Sequence, residues 1–214
     1  FLDPSKYAGA KNILYAAVLA GIVGFGAKAG MLPLQAWLPT AHPVAPAPAS
    51  AVLSGLITKA GVMAIIRVTF YLFGAEFLKG SWAQTVLIVL ALATVFAGSM
   101  LAYKEKVLKK RLAYSTVSQV SYVLFGLFLL NATGFAGALL QMVFHAVVKN
   151  LLFLSAGAII YKTGKTDVRQ LTGISKEMPI VLWWMWLRRI TTSIATCILM
   201  PAISAPPSSI MLLM

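Results

Sequence analysis

Residues 24–61 read GFGAKAGMLPLQAWLPTAHPVAPAPASAVLSGLITKAG. An apolar run that starts near Asn12 reaches Lys28 and is then cut by Pro33, Pro39, Pro43, Pro46 and Pro48. Proline removes a backbone donor and clashes with the preceding turn, so Pro33 must end or break the helix. Two structures satisfy this. The helix can stop and continue as an interfacial segment anchored by Trp37. Alternatively, it is discontinuous, and its exposed backbone groups line a polar cavity, a device of transporters. The interruption alone decides neither, but a lysine one turn before the break favours the second. A further lysine, Lys59, stands well inside the next apolar run. Lysines set deep in apolar runs around a broken helix predict an all-α, polytopic transmembrane bundle with a discontinuous helix near Pro33.

The rest of the chain extends that pattern. Of its 214 residues 60% are hydrophobic and 11% charged, a balance outside that of soluble domains. A helix needs about 20 apolar residues to cross a hydrocarbon core. Five runs meet that length, at 12–29, 49–73, 84–103, 112–130 and 136–161. A sixth, at 179–200, is interrupted by Arg188-Arg189. Period-two alternation is absent, which excludes a barrel reading.

The net charge is +13. In a soluble domain that would suggest nucleic acid; here the cations are gathered between apolar runs. Loop 104–111, KEKVLKKR, has a net charge of +4 and loop 162–178 of +2, whereas loops 74–83 and 131–135 are neutral. Such clusters beside spans are orientation signals facing the lipid bilayer, not a nucleic-acid surface. Two spans separate the basic loops, so both fall on one face. The positive-inside rule makes that face cytoplasmic, and the His42–Pro48 connection shares it. Cys197 is alone, so this chain offers no disulfide framework, zinc site or iron–sulfur cluster. No redox or other cofactor is expected. No start methionine or signal peptide is present, and the chain reads as an internal piece of something longer.

Five ionisable groups fall within the predicted spans: Lys28, Lys59, Arg67, His145 and Lys149. A Lys or Arg at mid-membrane costs about 2.5–3.5 kcal/mol on insertion scales, so it ordinarily faces a polar interior. Arg67, two turns from the end of its span, can snorkel to the interface; Lys59 and Lys149 are too deep for that. His145 and Lys149 are four residues apart, on one helix face, and Gln141 continues the stripe. An imidazole titrating near neutrality beside an amine removed from water is a plausible proton relay. A lone histidine is more often a packing residue, and Lys149 on the same stripe lifts this one above that reading. Ser115, Ser118, Gln119 and Tyr122 share one face of the fourth span, either as interhelical hydrogen-bond glue or as the lining of a hydrated path. No Asp or Glu lies in any of the five spans, so carboxylate partners for these cations are expected outside the sequence. No phosphate-cradling loop, metal-ligand cluster or nucleophile–base triad appears, and no catalytic residue is assigned.

Three blocks carry a resemblance: residues 24–61, KKRLAYSTVSQVSYVLFGL at 109–127 and QMVFHAVVKNLLFLSAG at 141–157. In them the chain resembles the antiporter-like subunits shared by respiratory complex I (NADH:quinone oxidoreductase), membrane-bound hydrogenases and the multisubunit Mrp-type Na⁺/H⁺ antiporters. The resemblance covers about residues 8–180. It implies translocation of protons, or of Na⁺ against H⁺, as one component among other membrane subunits of a larger complex. Lys28 would be the central lysine before the broken helix, paired with a glutamate on an earlier helix. Lys59 would belong to the connecting path, and His145 and Lys149 to the second half-channel. A lysine at position 59 points to the D- or M-type Mrp subunits rather than the A- or L-type. Beyond residue 180 the family pattern is lost, so 1–180 reads as a partial antiporter-like domain and 181–214 as a divergent, truncated or frameshifted tail. Two other classes compete: a small-anion carrier using the broken helix, and a membrane subunit with no transport role. The spread of polar residues over four spans counts against the first, and the deep lysines count against the second.

Overall fold

The computed structural model describes residues 9–171 together with Met178, Pro179 and Val181. The remainder of the run at 179–200, with Arg188-Arg189 and Cys197, lies outside the described residues. Helix α1 is Lys11–Ala29, α2 Trp37–Val44, α3 Ala47–Phe73 and α4 the single turn Ala75–Leu78. Helix α5 is Trp82–Lys104, α6 Leu108–Phe128 and α7 Ala132–Thr163, followed by a 3₁₀ turn at Val168–Gln170. Among the described residues there is no β-sheet.

Local chemistry sets these boundaries. Ser81 and Asn131 accept from the backbone N–H groups of Gln84 (3.3 Å) and Gly134 (2.6 Å), capping α5 and α7 at their N-termini. Gly30 ends α1 with φ 89°, a left-handed conformation that a residue without Cβ adopts at little cost. Pro46 then precedes α3, whose own Pro48 occupies the first turn, where no intrahelical donor is needed.

Four of the helices, α1, α3, α5 and α7, are long and apolar enough to cross a membrane. The remaining expected span, the fourth at 112–130, coincides with α6, whose first turn carries Lys109, Lys110 and Arg111 and so dilutes its apolar stretch. The outward faces remain apolar, with Val89, Phe96, Val143 and Val147 more than half exposed, as suits a surface that meets lipid. The chain is thus an integral membrane protein. Lipid offers no hydrophobic drive between helices, so close packing and interhelical hydrogen bonds must hold them. The main core joins α1, α3, α5 and α6 through Ile22, Ile65, Leu87, Leu124 and Phe128. A smaller cluster joins α6 and α7 through Leu108, Leu112, Leu152 and Phe153, with Val168 and Leu171 folded against it.

The two basic loops are tied to each other directly. Val107 and Asp167 form an isolated antiparallel bridge, with the Leu108 amide donating to the Thr166 carbonyl (2.9 Å) and the Val168 amide to that of Lys106 (3.0 Å). The connections after α5 and after α7 therefore share one face of the bundle.

Candidate functional site

The break between α1 and α2 is held by side chains from both sides. The Met31 amide donates to the Gly26 carbonyl (2.8 Å), the Leu32 amide to Thr94 Oγ1 on α5 (3.2 Å), and Trp37 Nε1 to the Ala27 carbonyl (2.7 Å). Backbone groups released by Pro33 are thus partnered, as a low-dielectric surrounding demands. Gly61 lets α3 lie against this end of α1: a Cβ there would stand 2.7 Å from the Ala29 nitrogen and 2.9 Å from the Phe25 carbonyl oxygen. Lys28, in the last turn of α1, is exposed on the described bundle. It is not drawn into the interior with Lys59 and Lys149.

Helix α3 widens into a π-type turn at Leu53–Ile57, a feature that often marks functional sites. Within it the Ser54 carbonyl accepts from Lys59 Nζ (2.5 Å) and Thr58 Oγ1 (3.0 Å). The Ser54 hydroxyl pairs with Thr116 Oγ1 of α6 at 2.8 Å. Lys59 is thereby buried and tied through Ser54 to α6.

On α7 the stripe Gln141, His145 and Lys149 is buried throughout. Lys149 Nζ donates to the Leu112 carbonyl (2.9 Å) and to Ser115 Oγ (2.5 Å). Gln141 Nε2 donates to Gln119 Oε1 at 2.7 Å. His145 has no protein hydrogen-bond partner on either ring nitrogen. Together His145, Lys149, Ser115, Ser118 and Gln119 line a cavity of about 270 Å³. Ser118 reaches Ser99 Oγ on α5 at 2.9 Å. A second cavity of about 420 Å³, lined by Arg111, Tyr103 and Leu108 among others, shares Ser99, Ala102, Ser115 and Leu152 with the first. A cleft between α5, α6 and α7 thus leads from His145 and Lys149 toward the face of the basic loops.

Of the residues singled out in the sequence, Lys59, His145, Lys149, Gln141 and Ser118 are buried, with Ser115 and Gln119 half-buried beside them. Tyr122 is half-buried and lines neither cavity. Arg67 is exposed where α3 widens a second time, at Arg67–Phe73. The described ion pairs, Glu76–Lys79 at 3.8 Å and Glu105–Lys110 at 3.0 Å, both lie at helix connections.

Sequence reasoning missed His42. Its ring is fully buried, stacked on Phe153 with centroids 4.5 Å apart, and neither nitrogen has a protein partner. Burial, with the charges of Lys149 and Lys109 adding to it, pushes the imidazole pKa down to about 4, and Lys109 Nζ ties α6 to the adjacent Ala45 carbonyl at 2.9 Å. The available signal was a histidine in a proline-rich connection, which in the structure carries the short helix α2 with Leu38, Pro39 and His42 buried.

A family described as the NADH:quinone oxidoreductase/Mrp antiporter transmembrane region matches residues 5–201. Hydrogenase-4 component B of Escherichia coli (strain K12) is 38% identical over 77% of this chain and 26% of its own length. The D-type member of the Na(+)/H(+) antiporter of Alkalihalophilus pseudofirmus is 34% identical over 79% of this chain and 34% of its own. In the structure of the Mrp complex from Dietzia sp. DQ12-45-1b, one chain superposes with a TM-score of 0.72 at 31% identity, covering 78% of this chain and 30% of that one. The chain therefore spans between about a quarter and a third of the length of these curated relatives.

Proposed function

The chain belongs to the NADH:quinone oxidoreductase/Mrp antiporter transmembrane family, and from that premise we propose that it carries protons across a membrane within a larger complex, through Lys59, His145 and Lys149. The observation that carries this reading is the Lys149 ammonium, buried, donating to Ser115 and the Leu112 carbonyl, and lining one cavity with His145. A buried ionisable group that borders a polar cavity is placed to exchange a proton with it, whereas a purely structural lysine needs no such space.

In this reading Lys149 and Lys59 store protons and His145, which shares its cavity with Lys149, passes them between. Buried imidazole nitrogens need hydrogen-bond partners, and water in a cavity with several polar walls supplies them. Lys28, exposed on the described bundle, turns to a carboxylate contributed by the rest of the full-length subunit. The partners are other membrane subunits, with Na⁺ as the counter-ion in an antiporter assembly and redox subunits driving transport in a hydrogenase or quinone reductase assembly. The face with the basic loops is the cytoplasmic one.

Proton flux in vesicles containing the full-length subunit and its partners tests the reading. Lys149→Ala is expected to lower flux by roughly tenfold or more, and His145→Ala to lower it less, since water replaces an imidazole more readily than a charge-storing amine. Wild-type flux from an assembled Lys149→Ala complex would remove the stripe from the pathway.

A further inference from the structure

We propose that the outer cavity of the α5–α6–α7 cleft is a binding site for the headgroup of an anionic phospholipid, anchored by Arg111. The cavity lies at the end of the bundle that carries the basic loops. Its walls come from the last two turns of α5 (Ser99, Ala102, Tyr103) and the first turns of α6 (Leu108, Arg111, Ser115), at the edge where the chain leaves the bundle through 104–107. At about 420 Å³ it has room for a phosphate and its glycerol.

The lining is divided as such a ligand requires. Arg111 offers a cation and Tyr103 a phenol, beside the Ser99 and Ser115 hydroxyls that already bond Ser118 and the Leu112 carbonyl, while Leu108, Leu152 and Val168 are apolar. Arginine suits phosphate because its planar fork donates two parallel hydrogen bonds. The neighbouring cations are already engaged: Lys110 pairs with Glu105 at 3.0 Å and Lys109 with the Ala45 carbonyl at 2.9 Å. The Arg111 guanidinium has no hydrogen bond or ion pair among the described residues. Arg111 is exposed and open to an anion, in a loop whose net charge of +4 attracts one. Phe96 and Met100 on α5 and Leu151 and Leu154 on α7 are exposed apolar side chains of helices that contribute to the cavity, so acyl chains have apolar exterior to lie against. At the membrane face of a basic loop the anion at hand is a lipid headgroup, so a lipid is the occupant.

The site has a regulatory consequence, which rests on the reading of Lys149 as a proton carrier. Because the two cavities share Ser99, Ala102, Ser115 and Leu152, a bound headgroup covers the outer end of the cleft that reaches Lys149.

The test uses the full-length subunit in its complex, reconstituted in phosphatidylcholine vesicles doped with photoactivatable phosphatidylglycerol. Crosslinks are mapped by mass spectrometry. They are expected on the peptides of 99–112 in preference to those of a phosphatidylcholine probe of the same chain length. Arg111→Gln should reduce them by roughly tenfold, the loss expected for one charge-assisted contact, with Arg111→Lys intermediate. Ala102→Trp, which fills the cavity without altering charge, should do the same. Equal labelling by the two probes, or labelling unchanged in assembled Arg111→Gln and Ala102→Trp complexes, would overturn the site. Protection by inorganic phosphate but not by chloride of equal ionic strength would assign the site to a soluble anion and overturn the lipid. None of these readouts depends on flux, so a failed Lys149 pathway and a failed lipid site are separable.

Discussion

Lys149 on α7 and Ser115 on α6 meet at 2.5 Å, ammonium to hydroxyl, with the Leu112 carbonyl as a second acceptor. The contact ties the most deeply buried cation of the stripe to a helix whose first turn stands at the basic face. It also explains why a span can open with Lys109, Lys110 and Arg111 and still pack: its next polar residues point at partners rather than at lipid.

The approach of α3 to α1 leaves no room at Gly61. Gly61→Ala should destabilise the protein by about 1–3 kcal/mol, the usual cost of overpacking. Thermal unfolding of the purified complex measures it; unchanged stability would mean that α1 and α3 separate freely at this point.

Thr94 partners the Leu32 amide at the helix break. Thr94→Val keeps the shape and removes the acceptor, costing about 1–3 kcal/mol for an unsatisfied donor, while Thr94→Ser should behave nearly as wild type. Equal stability of the valine and serine variants would show that the amide finds another partner.

The bridge between Val107 and Asp167 puts both basic loops on one face. With Cys197 replaced, single cysteines at Lys106 and Lys165 should resist an impermeant reagent applied to intact cells and react once the membrane is opened. Labelling of either from outside would reverse the orientation.

Much of this arrangement was legible in the sequence, and the rest was not for identifiable reasons. Long apolar runs and Pro33 gave the spans and the break because the bilayer enforces length and proline enforces interruption. The start of α6 at Leu108 rather than residue 112 was hidden, since a cationic first turn does not look like a span. Spacing four apart foretold the common face of His145 and Lys149. Depth along a span carries no information about azimuth, so it could not foretell that Lys28 is exposed while Lys59 is buried. The role of Ser54 depends on a local π-type turn and on Thr116 far along the chain, and His42 gains its setting only from Phe153. Contacts of that kind are tertiary and leave no periodic trace.

The central claim is that Lys149 gives up and regains a proton rather than merely filling a hydrogen-bonding niche. Proton flux by the assembled complex carrying Lys149→Arg tests it most directly. Arginine keeps the charge and the donors for Ser115 and the Leu112 carbonyl, yet stays protonated at any accessible pH. The account predicts that Lys149→Arg, correctly assembled, falls nearly as far as Lys149→Ala. Near wild-type flux from Lys149→Arg would contradict it and leave Lys149 as a structural cation.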